Sequence, residues 1–226
     1  LSPLIWSASF LIPNFAPDFT KIAFAVVTIC FLFLLMNLAR SSGKFIEKKL
    51  LKEWGGWPTT IMLRHRDDRI DILTKSRYHT ALSVLCDGLQ FPTAIEERKS
   101  PDAADKYYRT AINRLVELRR GPQYKILNDE NASYGFRRNL LGLKPFALII
   151  SFMAASITAV VWWLSIPGET GFDSVIEAGR NTPVFPILVI ADIMYFFLFL
   201  IVIRKNFVLQ AAREYSVALL KTLDRV

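Results

Sequence analysis

Three stretches of the chain run for 18 residues or more with at most one charge, and the segments between them carry apolar positions at helical spacing. A bilayer core of roughly 30 Å needs about 20 residues at about 1.5 Å each, so all three stretches are long enough to span. They are Ile22 to Ala39, Pro145 to Ile166 and Pro183 to Ile203, the last interrupted only by Asp192. Pro145 is expected in a tolerated first-turn position of its span, with Trp162 and Trp163 at the far interface. A shorter apolar piece, Leu1 to Pro13, is expected to end a fourth span, because the chain starts at Leu rather than Met; a short interfacial helix over 1 to 12 is the alternative. No basic region precedes that piece, so no cleavable signal peptide is expected.

The segments outside the spans read as helices too. Residues 40 to 54 continue the first span, and Gly55-Gly56-Trp57-Pro58 breaks it. Thr74 to Leu89 places Tyr78, Leu82 and Leu85 on one face, with Gly88 near the stop. Ser100-Pro101-Asp102 predicts a helix start with Ser100 as the cap; that helix carries Tyr108, Ile112, Leu115 and Leu118 and ends at Gly121-Pro122. The tail from Phe207 to Val226 repeats the pattern with Leu209, Ala212, Tyr215, Leu219 and Leu223. No run alternates with period two, so no sheet is expected.

Charge then assigns the sides. The net charge of +8 is unevenly spread: positions 40 to 144 hold 21 basic and 13 acidic residues, whereas 167 to 182 hold three acidic residues and Arg180 alone. Lys and Arg flanking a span stay in the cytoplasm, which places 40 to 144 and the tail inside and 167 to 182 outside. The expectation is an all-α membrane protein of the bacterial inner membrane. Two transmembrane hairpins, with three or four spans, bracket a cytoplasmic helical domain. Its divisions are an N-terminal membrane region over 1 to 39, the cytoplasmic domain over 40 to 144, a hairpin over 145 to 203, and a cytoplasmic helix over 204 to 226.

Composition excludes other classes. At 52% hydrophobic and a mean hydropathy of +0.30, with the apolar residues in blocks, this is no ordinary cytosolic enzyme. Two distant cysteines, Cys30 and Cys86, form neither a disulfide scaffold nor a cysteine-rich metal site.

Candidate chemistry is sparse. Asp192 is the sharpest residue, since a carboxylate in mid-span costs a few kcal/mol and normally faces a bundle interior, water or a partner. It is expected either to pack against Ser156 or Thr158 or to line a pore or subunit interface. The run Arg64-His65-Arg66-Asp67-Asp68-Arg69-Ile70-Asp71, with His79 beyond it, reads as a salt-bridged turn or as a surface for an anionic ligand formed by Arg64, His65, Arg66 and Arg69. It has no metal-ligand spacing such as HExxH. The kinase elements that would give meaning to its His-Arg-Asp-like order are missing. Arg137 and Arg138, beside Tyr134, are expected either to contact anionic lipid headgroups or to couple the cytoplasmic domain to the spans through an aromatic-glycine hinge at Tyr134-Gly135-Phe136. No cofactor, metal site or catalytic residue is expected.

Pro58-Thr59-Thr60, Leu63-Arg64-His65-Arg66-Asp67, Thr74-Lys75, Arg77-Tyr78-His79, Glu130-Asn131 and Tyr134-Gly135-Phe136-Arg137-Arg138-Asn139 resemble a group of uncharacterised bacterial inner-membrane proteins, over positions 40 to 144. The layout is similar to that of multi-span effectors of bacterial anti-phage defence. That similarity implies an oligomeric, pore-type membrane protein whose cytoplasmic domain senses or docks a protein, nucleic-acid or nucleotide trigger. The surplus of basic residues leaves open a membrane-anchored scaffold that recruits an anionic partner without transport.

Overall fold

The computed structural model describes residues 18 to 166 and 171 to 225. The proposed partial span over Leu1 to Pro13 lies outside the described residues. Every regular element among the described residues is helical: α1 (Asp18–Trp54), α2 (Pro58–Leu63), α3 (Ile72–Leu85), α4 (Ala94–Lys99), α5 (Pro101–Leu118), α6 (Lys125–Leu164), α7 (Phe172–Asn181), α8 (Val184–Ile201), α9 (Lys205–Lys221) and a 3-10 turn at Thr222–Arg225. Three of them, α1, α6 and α8, contain stretches long and apolar enough to cross a membrane.

Local chemistry explains where the helices begin and end. α1 stops at Gly55 and Gly56, whose φ angles of +78° and +128° suit residues without a β-carbon. Gly56 N–H donates to the Leu51 carbonyl and Gly55 N–H to that of Lys52, which satisfies carbonyls left over at the helix end. Pro58 then opens α2. The Asp71 side chain caps α3 by accepting from Thr74 N–H at 2.8 Å. Thr93 and Glu96 close a reciprocal capping box on α4. Pro101 does open α5, but the Ser100 side chain makes no capping hydrogen bond, contrary to expectation.

Pro145 is a second correction. It lies inside α6, which begins twenty residues earlier at Lys125, and not in a first turn. The 125 to 144 segment is itself helical, so the span grows out of it, and a proline within a membrane helix is tolerated where its surroundings satisfy the freed carbonyl. Gly135 is helical as well. The loop expected outside also contains a helix, α7, which starts where the Ser174 hydroxyl accepts from Gly171 N–H at 2.7 Å.

The chain divides into two compact units, Leu1–Gly43 with Asn139–Arg204 and Lys44–Arg138 with Lys205–Val226. The first holds the apolar stretches. Large apolar side chains there, including Phe24, Ile29, Phe33, Phe152, Ile157, Ile187 and Met194, are exposed on the isolated chain, as expected of surfaces bathed in lipid. Its helices approach closely at small residues: Gly43 of α1 is buried against Asn139 of α6, and Gly142 lies against the α1 backbone. Lys144 of α6 donates to the carbonyls of Leu200 and Ile203 at 3.0 and 2.8 Å, placing a cation on free carbonyls at the end of α8.

The second unit has a conventional core, in which Leu63, Leu82, Tyr108, Leu115, Leu219 and Leu220 are essentially inaccessible. The α9 face differs by one position from expectation: Val208, Ala211, Ala212, Ser216, Leu219 and Leu220 are buried, while Leu209 and Tyr215 are only half-buried.

Candidate functional site

Among the described residues, two buried polar atoms of the unit containing the apolar stretches have no hydrogen-bond partner, one on Asp192 and one on Trp162. Asp192 of α8 is 2% exposed, and its Oδ2 is buried without a hydrogen-bond partner. Ser156, one of the two partners expected for it, donates instead to the carbonyl of Phe152 four residues back. Ser151, fully buried, bonds within α6 to the carbonyls of Ala147 and Leu148. Near the other end of α6 the buried indole N–H of Trp162 is likewise unpartnered, and its ring lies 3.4 Å from where a Gly179 β-carbon would stand. A buried acceptor without a donor costs about 1 to 3 kcal/mol, more when it is charged. Asp192 is therefore enclosed by the single chain rather than presented on its outer face, and among the described residues no donor reaches its Oδ2.

The sequence run from Arg64 to Asp71 forms a tightly bonded knot in the other unit. Arg64, 8% exposed, sends Nε and one terminal nitrogen to the two carboxylate oxygens of Asp105 on α5, and also donates to the Gly55 carbonyl. Arg69 forks onto Asp67, and Arg66, half exposed, lies 3.9 Å from Glu97. Glu97 of α4 is buried and accepts from the backbone N–H of His65 and from the Tyr108 hydroxyl, both at 2.8 Å. Burial pushes the Glu97 carboxyl up, but these donors outweigh it and hold the group below the usual carboxylate range. Buried Lys75 donates to the carbonyls of Arg64 and Asp67, so its ammonium is satisfied without an acid.

The two histidines join the knot. His79 Nε2 lies 2.8 Å from the Leu63 carbonyl and His65 Nε2 lies 2.9 Å from that of Pro92, so each of these nitrogens carries the proton. The His79 ring packs beside both Phe91 and Tyr108, at centroid distances of 4.9 and 5.5 Å, with those two rings 5.7 Å from each other, and it meets His65 edge-on at 5.2 Å. Burial pushes its pKa down, so it is neutral at pH 7. Among the described residues no group of three His, Cys, Asp or Glu side chains is placed to hold a metal ion. Phe91 also lines a groove of about 550 Å³ with Gln90, Glu96, Lys99 and Tyr107, whose two charges are opposite in sign.

Arg137, Arg138 and Tyr134 of α6 also turn inward. Tyr134 and Arg138 both donate to Glu47 Oε1 of α1, at 2.7 and 2.8 Å. Burial and the Glu47 charge together push the Tyr134 phenol above its ordinary range. Arg137 stacks over Phe207 at 4.6 Å, donates to its carbonyl, and lies 3.8 Å from Glu214.

The acids that receive these arginines, Glu47, Glu97 and Asp105, escaped the sequence reading. They lie 91, 31 and 41 positions from Arg138, Arg66 and Arg64, beyond any local spacing rule. Comparison with known proteins adds no family: no family model, no curated protein and no solved structure matches the chain.

Proposed function

We propose that the chain is an oligomeric pore-type effector of the bacterial inner membrane. Its domain over 40 to 144 is cytoplasmic and senses or docks a trigger, and its spans open a path for ions, in the manner of membrane effectors of anti-phage defence. The observation that carries this reading is Asp192, a buried mid-span carboxylate with an unpartnered oxygen. A packing residue would have a donor; a residue kept without one argues for a second state in which water or neighbouring copies surround it. The enclosed position belongs to the closed state, and opening hydrates it.

The scaffold reading is less well supported because four of the arginines behind the basic surplus that recommended it are engaged within the chain. Arg64, Arg69, Arg137 and Arg138 face Asp105, Asp67, Glu214 and Glu47. The test is ion flux from liposomes containing the full chain. Flux that rises more steeply than linearly with the protein-to-lipid ratio supports an oligomeric pore; vesicles that stay tight at every ratio contradict it.

A further inference from the structure

Basic residues around the first span sort into two populations. The arginines of α6 are half-buried and bonded to acids or carbonyls, as described above. The lysines of α1 beyond Arg40 behave differently. Lys44, Lys48, Lys49 and Lys52 are all exposed, and at 3.6 residues per turn they share one flank of the helix with Phe45. The opposite flank holds buried Leu50 and half-buried Ile46, Glu47, Leu51 and Trp54. Both acids of this segment are turned to other partners, Glu47 to Arg138 and Tyr134, and Glu53 to Lys205 at 2.6 Å. What remains on the open flank is four positive charges and an aromatic ring that is 83% exposed. Phe136 of α6, three residues before the unit's limit at Asn139, is 62% exposed as well.

We infer that the Lys44–Lys49 flank of α1, with Phe45, binds anionic phospholipid headgroups of the cytoplasmic leaflet, and that the Arg137-Arg138 pair does not. The inference rests on the proposed cytoplasmic placement of residues 40 to 144. Spacing decides which lysines take part. Counted along one helix from Ala39, the last residue of the uncharged block, Lys44 is about 8 Å beyond the apolar stretch and Lys48 about 14 Å, at about 1.5 Å per residue. The headgroup layer is roughly 5 to 8 Å deep on each side. A lysine stem of several ångströms brings Lys44 and Lys48 to the phosphates, while Lys52, about 20 Å out, acts only through a field screened within about 10 Å. Phe45, one residue into the basic flank, sits where interfacial aromatics anchor helices. An acidic soluble partner would not need that ring.

The experiment uses the full chain in bilayers of equal phosphatidylcholine and phosphatidylglycerol, with trace spin-labelled lipid of either kind, and reads the motionally restricted fraction by electron paramagnetic resonance. Labelled phosphatidylglycerol should associate roughly threefold or more in excess of labelled phosphatidylcholine. That excess should vanish at 1 M salt and in the variant K44Q/K48Q/K49Q, whose exposed positions leave the fold intact by circular dichroism. Equal association of the two lipids in the parent overturns the inference, as does an excess that survives the three substitutions. The assay reads lipid contact whether or not ions pass, and on whichever side the flank lies, so failure of the pore or of the topology is detected separately by flux and by cysteine labelling.

Discussion

Gly142 of α6 lies so close to α1 that a β-carbon at this position would stand 2.6 Å from the backbone nitrogen of Gly43. The Ser42 carbonyl carbon would be equally near. Backbone cannot yield as a flexible side chain can, so the two helices must separate to admit a methyl group. At Gly135, seven residues earlier in the same helix, a β-carbon would meet nothing within 4 Å. The two glycines therefore predict opposite outcomes. Gly142→Ala should destabilise by about 1 to 2 kcal/mol, since overpacking outweighs the gain in helix propensity. Gly135→Ala should stabilise by up to about 1 kcal/mol. Thermal unfolding of both variants in the same detergent checks the contrast; a destabilised Gly135→Ala would assign that glycine a role its surroundings do not explain.

Glu47 is the shared acceptor for Tyr134 and Arg138, whose ion pair is 13% and 17% exposed on its two sides. Removing the acid strands a hydroxyl and a guanidinium. Glu47→Ala should cost about 2 to 3 kcal/mol, and a double-mutant cycle with Arg138→Ala should return a coupling above about 1 kcal/mol. Additive losses would mean that the pair is geometrically close but energetically independent.

His79 makes the stability of the 44 to 138 unit depend on pH. Its pKa in the fold is pushed below the ordinary 6.5 by burial first, against the opposing effect of the Leu63 carbonyl. Nearby His65 and Lys75 oppose its charging and Glu97 favours it. The unfolded chain therefore takes up the proton more readily. The contribution is complete above about pH 6.5 and is lost as pH falls through the folded value. Melting temperature should fall between pH 6.5 and 5, and His79→Gln should flatten that slope. The acid loss from Glu97, whose pKa is also lowered but starts from 4.5, comes at lower pH. An unchanged slope in the variant would remove His79 as the cause.

Much of the architecture was legible because it follows from local rules. Uncharged length marks the spans, and Gly55-Gly56-Pro58 marks the end of α1. What escaped depends on partners distant in sequence. Nothing near Ser100 says that its hydroxyl will leave the cap unmade, and nothing near Pro145 says that the preceding segment is already helical. The inward turn of Arg137 and Arg138 needed Glu47 and Glu214 to be seen, because local charge reads the same for a lipid-facing arginine and a paired one. Packing divides the two units at Gly43 and Asn139, a division set by contacts between residues distant in sequence, which charge along the chain does not report.

Topology is checked by labelling. In a background with Cys30 and Cys86 replaced by Ser, a cysteine at exposed Gly171 should react with a membrane-impermeant reagent applied to intact spheroplasts, and one at exposed Ser100 should react only after lysis. Labelling at 100 but not at 171 would invert the assignment of sides.

The most direct test of the pore is the planar-bilayer current of the parent and of Asp192→Asn at equal incorporation. The substitution keeps the size and hydrogen-bonding capacity of the side chain and removes its ionisation. A ring or hydrated line of carboxylates favours cations, so the parent should carry cation-selective currents, and the variant should assemble normally while losing selectivity or conductance. Silent bilayers for both proteins, or currents identical in conductance and selectivity, would contradict the account.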